Sequence, residues 1–365
     1  MAWPKKPREN VLKRRLVSIA ALLVAGGTAL LAVPDLRRAA EEASSINVLW
    51  LIGAGALELA SCISFLAIFR RFFEELPMSE ARRLAWIEMG SGAVLPGGGV
   101  GSLAAGGMLL RRGGMSTQSI VQRSSGLFFL TSGTNVLALE GAAVALGLGI
   151  GSGPHGAALV AIPATVGLAG AAIVLALARP RWHRNGHRRA LSAVVDGVRQ
   201  AERELIRPHW RLLGALGYLG FDIAVLGVVC AGVGHPIGAP ALVLAYVIGY
   251  AANTLPVPGG IGVLEGGLVG ALVLYGAPVM PATAAVLLYH TIAFWIPSLG
   301  GAVAYGMTAT ARRGARSRSV RVLERPFRYR GRRGQTRQFE LEEVLERSMR
   351  ASGSVAITRG RSTTS

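Results

Sequence analysis

The chain has 365 residues, of which 51% are hydrophobic and only 16% charged, with a mean hydropathy of +0.44 and a formal charge of +19. A soluble globular domain carries about a quarter of its residues as charges, so this composition excludes one and indicates a polytopic membrane protein. The surplus Arg residues sit at the ends of apolar runs and in the C-terminal tail, which argues for loops meeting anionic lipid headgroups and against nucleic acid as the partner.

In chain order, residues 1–15 form a basic N-terminus carrying Lys5, Lys6, Arg8, Lys13, Arg14 and Arg15, which the positive-inside rule places in the cytoplasm. The apolar run at 16–33 exceeds the usual core of a signal peptide and is followed by further spans, so it is read as an uncleaved first helix. Full-length spans are then expected at 46–69, 119–150, 157–178, 212–233 and 282–308, which makes six in all. Two more apolar segments, 85–110 and 241–275, are each interrupted by helix breakers. The first contains Leu95, Pro96, Gly97, Gly98, Gly99, Val100 and Gly101; the second contains Leu255, Pro256, Val257, Pro258, Gly259, Gly260, Ile261 and Gly262.

Charge decides how these two segments sit. Arg82 and Arg83 precede the first and Arg111 and Arg112 follow it, so both of its ends belong in the cytoplasm. About 26 residues cannot cross the bilayer twice at ~1.5 Å per residue, so a re-entrant hairpin turning at Pro96, Gly97, Gly98 and Gly99 is expected. The loop 179–211 holds nine Arg and three acids and is cytoplasmic, so the span at 212–233 leads outward. The basic tail returns the last span to the inside, so the segment 241–275 must start and finish outside. Its hairpin, turning at Pro256, Pro258, Gly259, Gly260 and Gly262, therefore enters from the opposite face. The expected fold is all-α, with inverted repeats offset by about 160 residues, six full spans and two opposed re-entrant hairpins. Inverted repeats whose broken helices meet near the midplane are the plan of many secondary transporters. The alternative is that both Gly-rich segments are small-residue packing faces of ordinary helices.

The motif Leu95-Pro96-Gly97-Gly98 with Leu109-Leu110-Arg111-Arg112-Gly113, and the stretch Leu255-Pro256 through Gly262-Val263-Leu264-Glu265 with Tyr275-Gly276, resemble the membrane region of lysylphosphatidylglycerol synthases and the stand-alone flippase-like proteins of that superfamily. The resemblance covers residues 10–311 and implies movement of an amphipathic lipid between leaflets. The family pattern places an Arg early in the span after each hairpin. Arg123 fits the first, whereas His290 takes that position in the second, and the charged residues often found after the first turn are missing from 100–110. In the fused enzymes a C-terminal synthase domain makes the aminoacylated lipid. About 55 residues follow the last span here, so aminoacyl transfer, and enzyme activity altogether, is not expected.

Acids inside a membrane cost about 2.5–3.5 kcal/mol each on insertion scales and therefore face a cavity or a partner. Glu58, Glu140, Asp222 and Glu265 fall in apolar segments, and Glu58 and Asp222 occupy corresponding spans of the two halves. The substrate-pathway candidates are Glu265, Arg123, His290, Asp222 and Glu58. Glu265, just after the second turn, binds a cationic headgroup or a proton on one reading and forms a structural salt bridge, for instance with Arg123, on the other. Arg123 either holds phosphate or snorkels to the interface, and His290 is either a core histidine or a proton or substrate group. Asn253 and Thr254 read as caps of a broken helix. Glu140 reads as interfacial.

Cys62 and Cys230, in separate spans, read as free apolar thiols. His183 and His187 have helical metal spacing, but the Arg residues around them repel a cation, and no phosphate-binding loop or serine-hydrolase elbow occurs. No metal or cofactor is expected. The segment 191–211 reads as an amphipathic helix on the inner leaflet. The tail 312–365 reads as basic, cytoplasmic and partly disordered, with eleven Arg in 312–337. The resulting expectation is a plasma-membrane flippase for a phospholipid or lipid-linked headgroup, working by alternating access, with both termini cytoplasmic and lipids as its partners. A small-solute or ion transporter and a non-transporting anchor for a cell-envelope enzyme are the other classes.

Overall fold

The computed structural model describes residues 38, 41, 43–95, 99–154, 156–177, 189–206, 209–255, 257, 260 and 262–323. The expected first helix at 16–33, the turn residues Pro96, Gly97, Gly98, Pro256, Pro258 and Gly259, the pair His183 and His187, and the tail beyond 323 lie outside them. The chain divides into two units, Met1–Ala311 and Arg312–Ser365, and the architecture below is that of the first.

The described residues are helical and contain no strand. The helices are α1 (Val48–Phe72), α2 (Met78–Val94), α3 (Gly99–Arg112), α4 (Thr117–Gly147), α5 (Ala157–Leu177), α6 (Arg189–Ile206), α7 (Leu213–Gly232), α8 (Ala239–Ala251), α9 (Val263–Leu274) and α10 (Val279–Leu323). Five stretches are long and apolar enough to cross a bilayer: Val48–Phe72, Thr117–Gly147, Ala157–Ala176, Trp210–Gly232 and Val279–Thr308. They match five of the six expected spans within a few residues. Their outward faces carry Leu49, Ile63, Leu137, Val166, Leu213 and Val303, each more than 60% exposed, a distribution suited to lipid and costly in water.

Local chemistry explains most boundaries. Asn47 caps α1, its side chain accepting the Leu49 N–H at 2.9 Å, and Arg70 and Arg71 in the last turn complement the helix dipole. Ser116 caps α4 through the Ser119 N–H at 3.1 Å. Leu95 and Leu255, each just before a proline, are extended (φ −81, ψ 149 and φ −69, ψ 139), as the clash with a following proline ring requires. That steric rule ends α2 at Val94 and ends the 3-10 turn Ala252–Thr254 that prolongs α8. Pro163 and Pro297 lie within α5 and α10.

Four helices are too short to span. α2, α3, α8 and α9 have 17, 14, 13 and 12 residues, so at ~1.5 Å per residue each is about 18–26 Å long against a hydrocarbon core of about 30 Å. They pack as two pairs, α2 on α3 and α8 on α9. In the second pair the backbones nearly touch: a Cβ on Gly249 would lie 2.7 Å from the Leu268 Cα, and one on Gly267 would lie 2.6 Å from the Gly249 carbonyl oxygen. The order span, short pair, span thus occurs twice, as α1, α2 with α3, α4 and as α7, α8 with α9, α10.

The leading spans of the two halves form the most extensive helix contact and run antiparallel. Gly53 faces Val228, Ser61 donates to the Tyr218 carbonyl at 2.9 Å, Gly214 abuts Ser64 and Ile68, and Gly232 abuts Ile46 and Trp50. Rising numbers on one helix meet falling numbers on the other, so these two spans run in opposite directions, as the charge pattern requires of them. The halves also exchange partners. α2 lies against α10, where a Cβ on Gly90 would come within 2.6 Å of the Pro297 carbonyl, while α8 packs on α4.

Two large apolar cores lie in the unit, besides a small cluster around Ala43 and Ala284. One joins α7, α8, α9 and α10 with the end of α4 around Leu226, Leu244, Leu268, Leu272 and Val286. The other stacks Phe65, Phe69 and Phe73 against α2, α4 and α7. α6 packs on α4, burying Ala193, Val195, Val198 and Ala201, so the amphipathic segment covers protein with its apolar face.

A candidate functional site between the two helix pairs

A cavity of about 540 Å³ opens where the two halves meet. Both helix pairs line it, together with α1, α4, α7 and α10. Its walls are largely apolar, with Phe65, Leu103, Leu127, Phe294 and Pro297 among them and Phe128, 44% exposed on α4, at its edge. The charged groups that line it are Glu58, Glu88 and Asp222, with His290 nearby; no Lys or Arg is among the lining residues.

Asp222 sits near the middle of α7 and is held by two hydroxyls. Tyr246 of α8 donates to Oδ2, and Tyr289 of α10 donates to Oδ1 at 3.1 Å, with the Tyr289 hydroxyl 3.3 Å from that of Tyr246. Both tyrosines are at most 2% exposed, and their rings meet edge to face. One carboxylate thereby joins three elements of the second half. Glu58, 5% exposed in the middle of α1, has far less: Oε1 takes a long contact of 3.8 Å from the Cys62 thiol, and Oε2 is buried without a partner. Glu88, 4% exposed on α2, lies against α3, its Oε2 2.7 Å from where a Cβ on Gly106 would stand. In this rotamer the carboxyl occupies the space a side chain at 106 would take.

Glu265 and His290 form a separate couple at the head of α9. Gly262 has φ +84, a conformation that favours glycine, and its N–H donates to Glu265 Oε2 at 2.6 Å. His290 Nδ1 lies 2.6 Å from Glu265 Oε1. Both carboxylate oxygens are therefore engaged, and His290 carries the couple to the cavity wall. Asn253 also lines the cavity, its Oδ1 pressed against Gly260, where φ is +67.

The structure therefore gathers Glu58, Asp222 and His290 at the cavity, and Glu265 behind His290. It does not bring Arg123 there. That guanidinium forms an ion pair with Glu75 at 2.6 Å and donates to the Phe72 carbonyl at 3.3 Å, so the side-chain partner of Glu265 is His290 and not Arg123. The physical reason is local. Arg123 lies in the second turn of α4, and the connection between α1 and α2 offers an acid and a carbonyl within reach without moving a charge into apolar surroundings. Nearby, Arg71 bridges Glu74 at 2.6 Å and Glu204 at 2.8 Å, and Arg211 reaches Glu74 at 3.4 Å. Glu140 lies between α4 and α5, its buried Oε1 beside Gly167. Cys62 and Cys230 are free and buried.

Sequence reasoning missed three members of the site. Glu88 is the one acid of the segment 85–110 and carries the same burial cost as the others, but its closeness to Arg82 and Arg83 disguises it as interfacial. Tyr246 and Tyr289 show no signal in sequence, because a tyrosine in an apolar helix is common and its hydroxyl partner is set by tertiary packing.

No curated protein matches the chain. The family model for the lysylphosphatidylglycerol synthase TM region matches residues 15–301, a stretch that includes both short helix pairs and every residue of the cavity. With well over half of its length matched, the chain belongs to the lysylphosphatidylglycerol synthase transmembrane-region family.

Proposed function

We propose that the protein moves a phospholipid or a lipid-linked headgroup between leaflets by alternating access of its two halves. The observation that carries this reading is the cavity: a polar floor of three carboxylates and a histidine, enclosed by apolar walls, at the junction of two antiparallel-related halves. A headgroup needs the first and acyl chains tolerate the second, while membership of the family supports a lipid-related role. The two short helix pairs act as re-entrant hairpins that close the cavity from opposite faces. Glu58, Asp222 and the Glu265–His290 couple contact the headgroup or its counter-charge, and no bond of the lipid is made or broken.

In this reading the protein works in the plasma membrane with both termini in the cytoplasm, where its basic loops and tail meet anionic inner-leaflet lipid and any cell-envelope enzyme that supplies the cargo. It needs no cofactor and has no nucleic-acid partner. The test is a leaflet-sidedness assay on the purified protein in liposomes, run against anionic, aminoacylated and polyprenyl-phosphate lipids. Protein-dependent redistribution of one class, lost in Asp222→Asn, is the expected result. No redistribution of any class, with efflux of a water-soluble solute instead, overturns it in favour of a small-solute transporter.

A further inference from the structure

We propose that Glu58 and Asp222 together form a binding site for one proton, placed on the pseudo-symmetry axis between the two halves. The register of the antiparallel α1–α7 pair puts them face to face. Gly53 meets Val228 on one side of them, and Ser61 meets Tyr218 on the other, so residue 58 stands opposite residue 222. Glu58 is ten residues from the start of α1, which at ~1.5 Å per residue is about 15 Å of helix and close to half the bilayer thickness. They also lie in corresponding spans of the two halves.

The two carboxyls are unlike in their partners, and that difference sets which one holds the proton. Asp222 receives hydroxyl hydrogens on both oxygens, from Tyr246 and Tyr289, an environment that serves the anion. Glu58 receives no oxygen or nitrogen donor. Its Oε2 is buried and unpartnered beside the cavity, and Cys62 offers only a long thiol contact to Oε1. The titratable and charged groups around the pair are Cys62 on α1, Glu88 on α2, Tyr218 on α7, Tyr246 and Tyr250 on α8, and Tyr289 and His290 on α10. None is a free cation, since His290 is committed to Glu265. Two bare carboxylates face to face in apolar surroundings repel strongly, and a buried carboxyl with neither donor nor counter-ion stays neutral by keeping its hydrogen. One proton on Glu58, with Asp222 charged, is the arrangement that these contacts support. A sodium ion fits less well, because hydroxyl hydrogens already point at the oxygens of Asp222 that would have to coordinate it.

Proton binding rests on this geometry alone. Its use, in which a proton enters Glu58 from one side and leaves to the other as the halves rock, rests on the transport reading above. No covalent chemistry is involved, and the proton gradient across the membrane is the source of work.

The test is infrared spectroscopy of the purified full-length chain in nanodiscs, following the carbonyl stretch of protonated carboxyl groups. At neutral pH the native protein should show such a band; Glu58→Gln should remove one component of it, and Glu88→Gln should leave that component in place. Asp222→Asn serves as a second probe should Glu58→Gln not fold: it should shift the frequency of the Glu58 component, because its facing neighbour changes. A native spectrum that matches that of Glu58→Gln overturns the proposal. So does an unshifted component in Asp222→Asn, or loss of the component on adding sodium at fixed pH, which would make this a metal-ion site. No lipid flux enters the measurement, so failure of the flippase reading and failure of this one are told apart.

Discussion

Two groups of acids in this molecule, one around the turn between α1 and α2 and one lining the cavity, differ in their partners. Around the turn between α1 and α2, every acid of the cluster has a guanidinium: Glu74 meets Arg71 and Arg211, Glu75 meets Arg123, and Glu204 meets Arg71. At the centre, Glu58, Glu88 and Asp222 line a cavity with no Lys or Arg among its lining residues. The chain has 39 Lys and Arg against 20 acids, so cations are not scarce. Pairing is thus a property of place: acids around the α1–α2 turn meet guanidinium groups, whereas those lining the cavity meet hydroxyls, a thiol or no partner.

The sharpest break of that contrast is Asp222→Ala, which strips the acceptor from two buried tyrosine hydroxyls. It should cost about 2–3 kcal/mol, seen as a lowered melting temperature in detergent. His290→Ala comes next, leaving Glu265 Oε1 without its partner at a cost of about 1–2 kcal/mol in the same measurement. Glu58→Gln separates function from stability. Its melting temperature should be unchanged or raised, since no strong contact is lost, while lipid redistribution falls about tenfold, equivalent to ~1.4 kcal/mol.

Smaller effects belong to the rim. Arg123→Ala breaks a pair whose acid is 72% exposed, so it should cost less than about 1 kcal/mol and leave redistribution within a factor of two. A loss of transport comparable to that in Glu58→Gln would return Arg123 to the pathway. The smallest effect concerns pH. The hydrogen bond from Arg71 holds the Glu74 carboxyl below its ordinary value of 4.5. Its contribution is therefore present above that value and fades as pH falls through it, and solvent screens it because the side chain is half exposed. Glu74→Gln should remove that small contribution at neutral pH and so flatten the acid limb of a stability-versus-pH curve, with no effect once pH is low enough to protonate Glu74.

What was legible in the sequence follows the same division. Spans were legible because hydropathy over about 20 residues is a local property, and five of the six lie where the runs predict. The short pairs were legible because a residue before proline avoids the helix, and Leu95 and Leu255 obey that rule. The inversion came from counting Arg residues at segment ends, and the antiparallel α1–α7 contact agrees with it. Side-chain partners were not legible. Tyr289 reaches Asp222 across 67 residues, and Arg123 reaches Glu75 across 48, and no periodicity encodes such distances. Glu265 shows both outcomes: its backbone contact to Gly262 follows from its place three residues into the helix, whereas His290, 25 residues on, needed the fold.

The way Glu265 closes the head of α9 also bears on what that helix start offers an anion. A helix start with free N–H groups is an inviting seat for phosphate, and every phospholipid brings one. Here the Gly262 N–H is already occupied by the chain's own carboxylate, which is tethered on its other oxygen by His290. The start of α9 therefore offers one N–H fewer to any other anion. Glu265 thus ties the start of α9 to His290 of α10, so a substitution at either residue is felt both at the helix head and at the cavity wall.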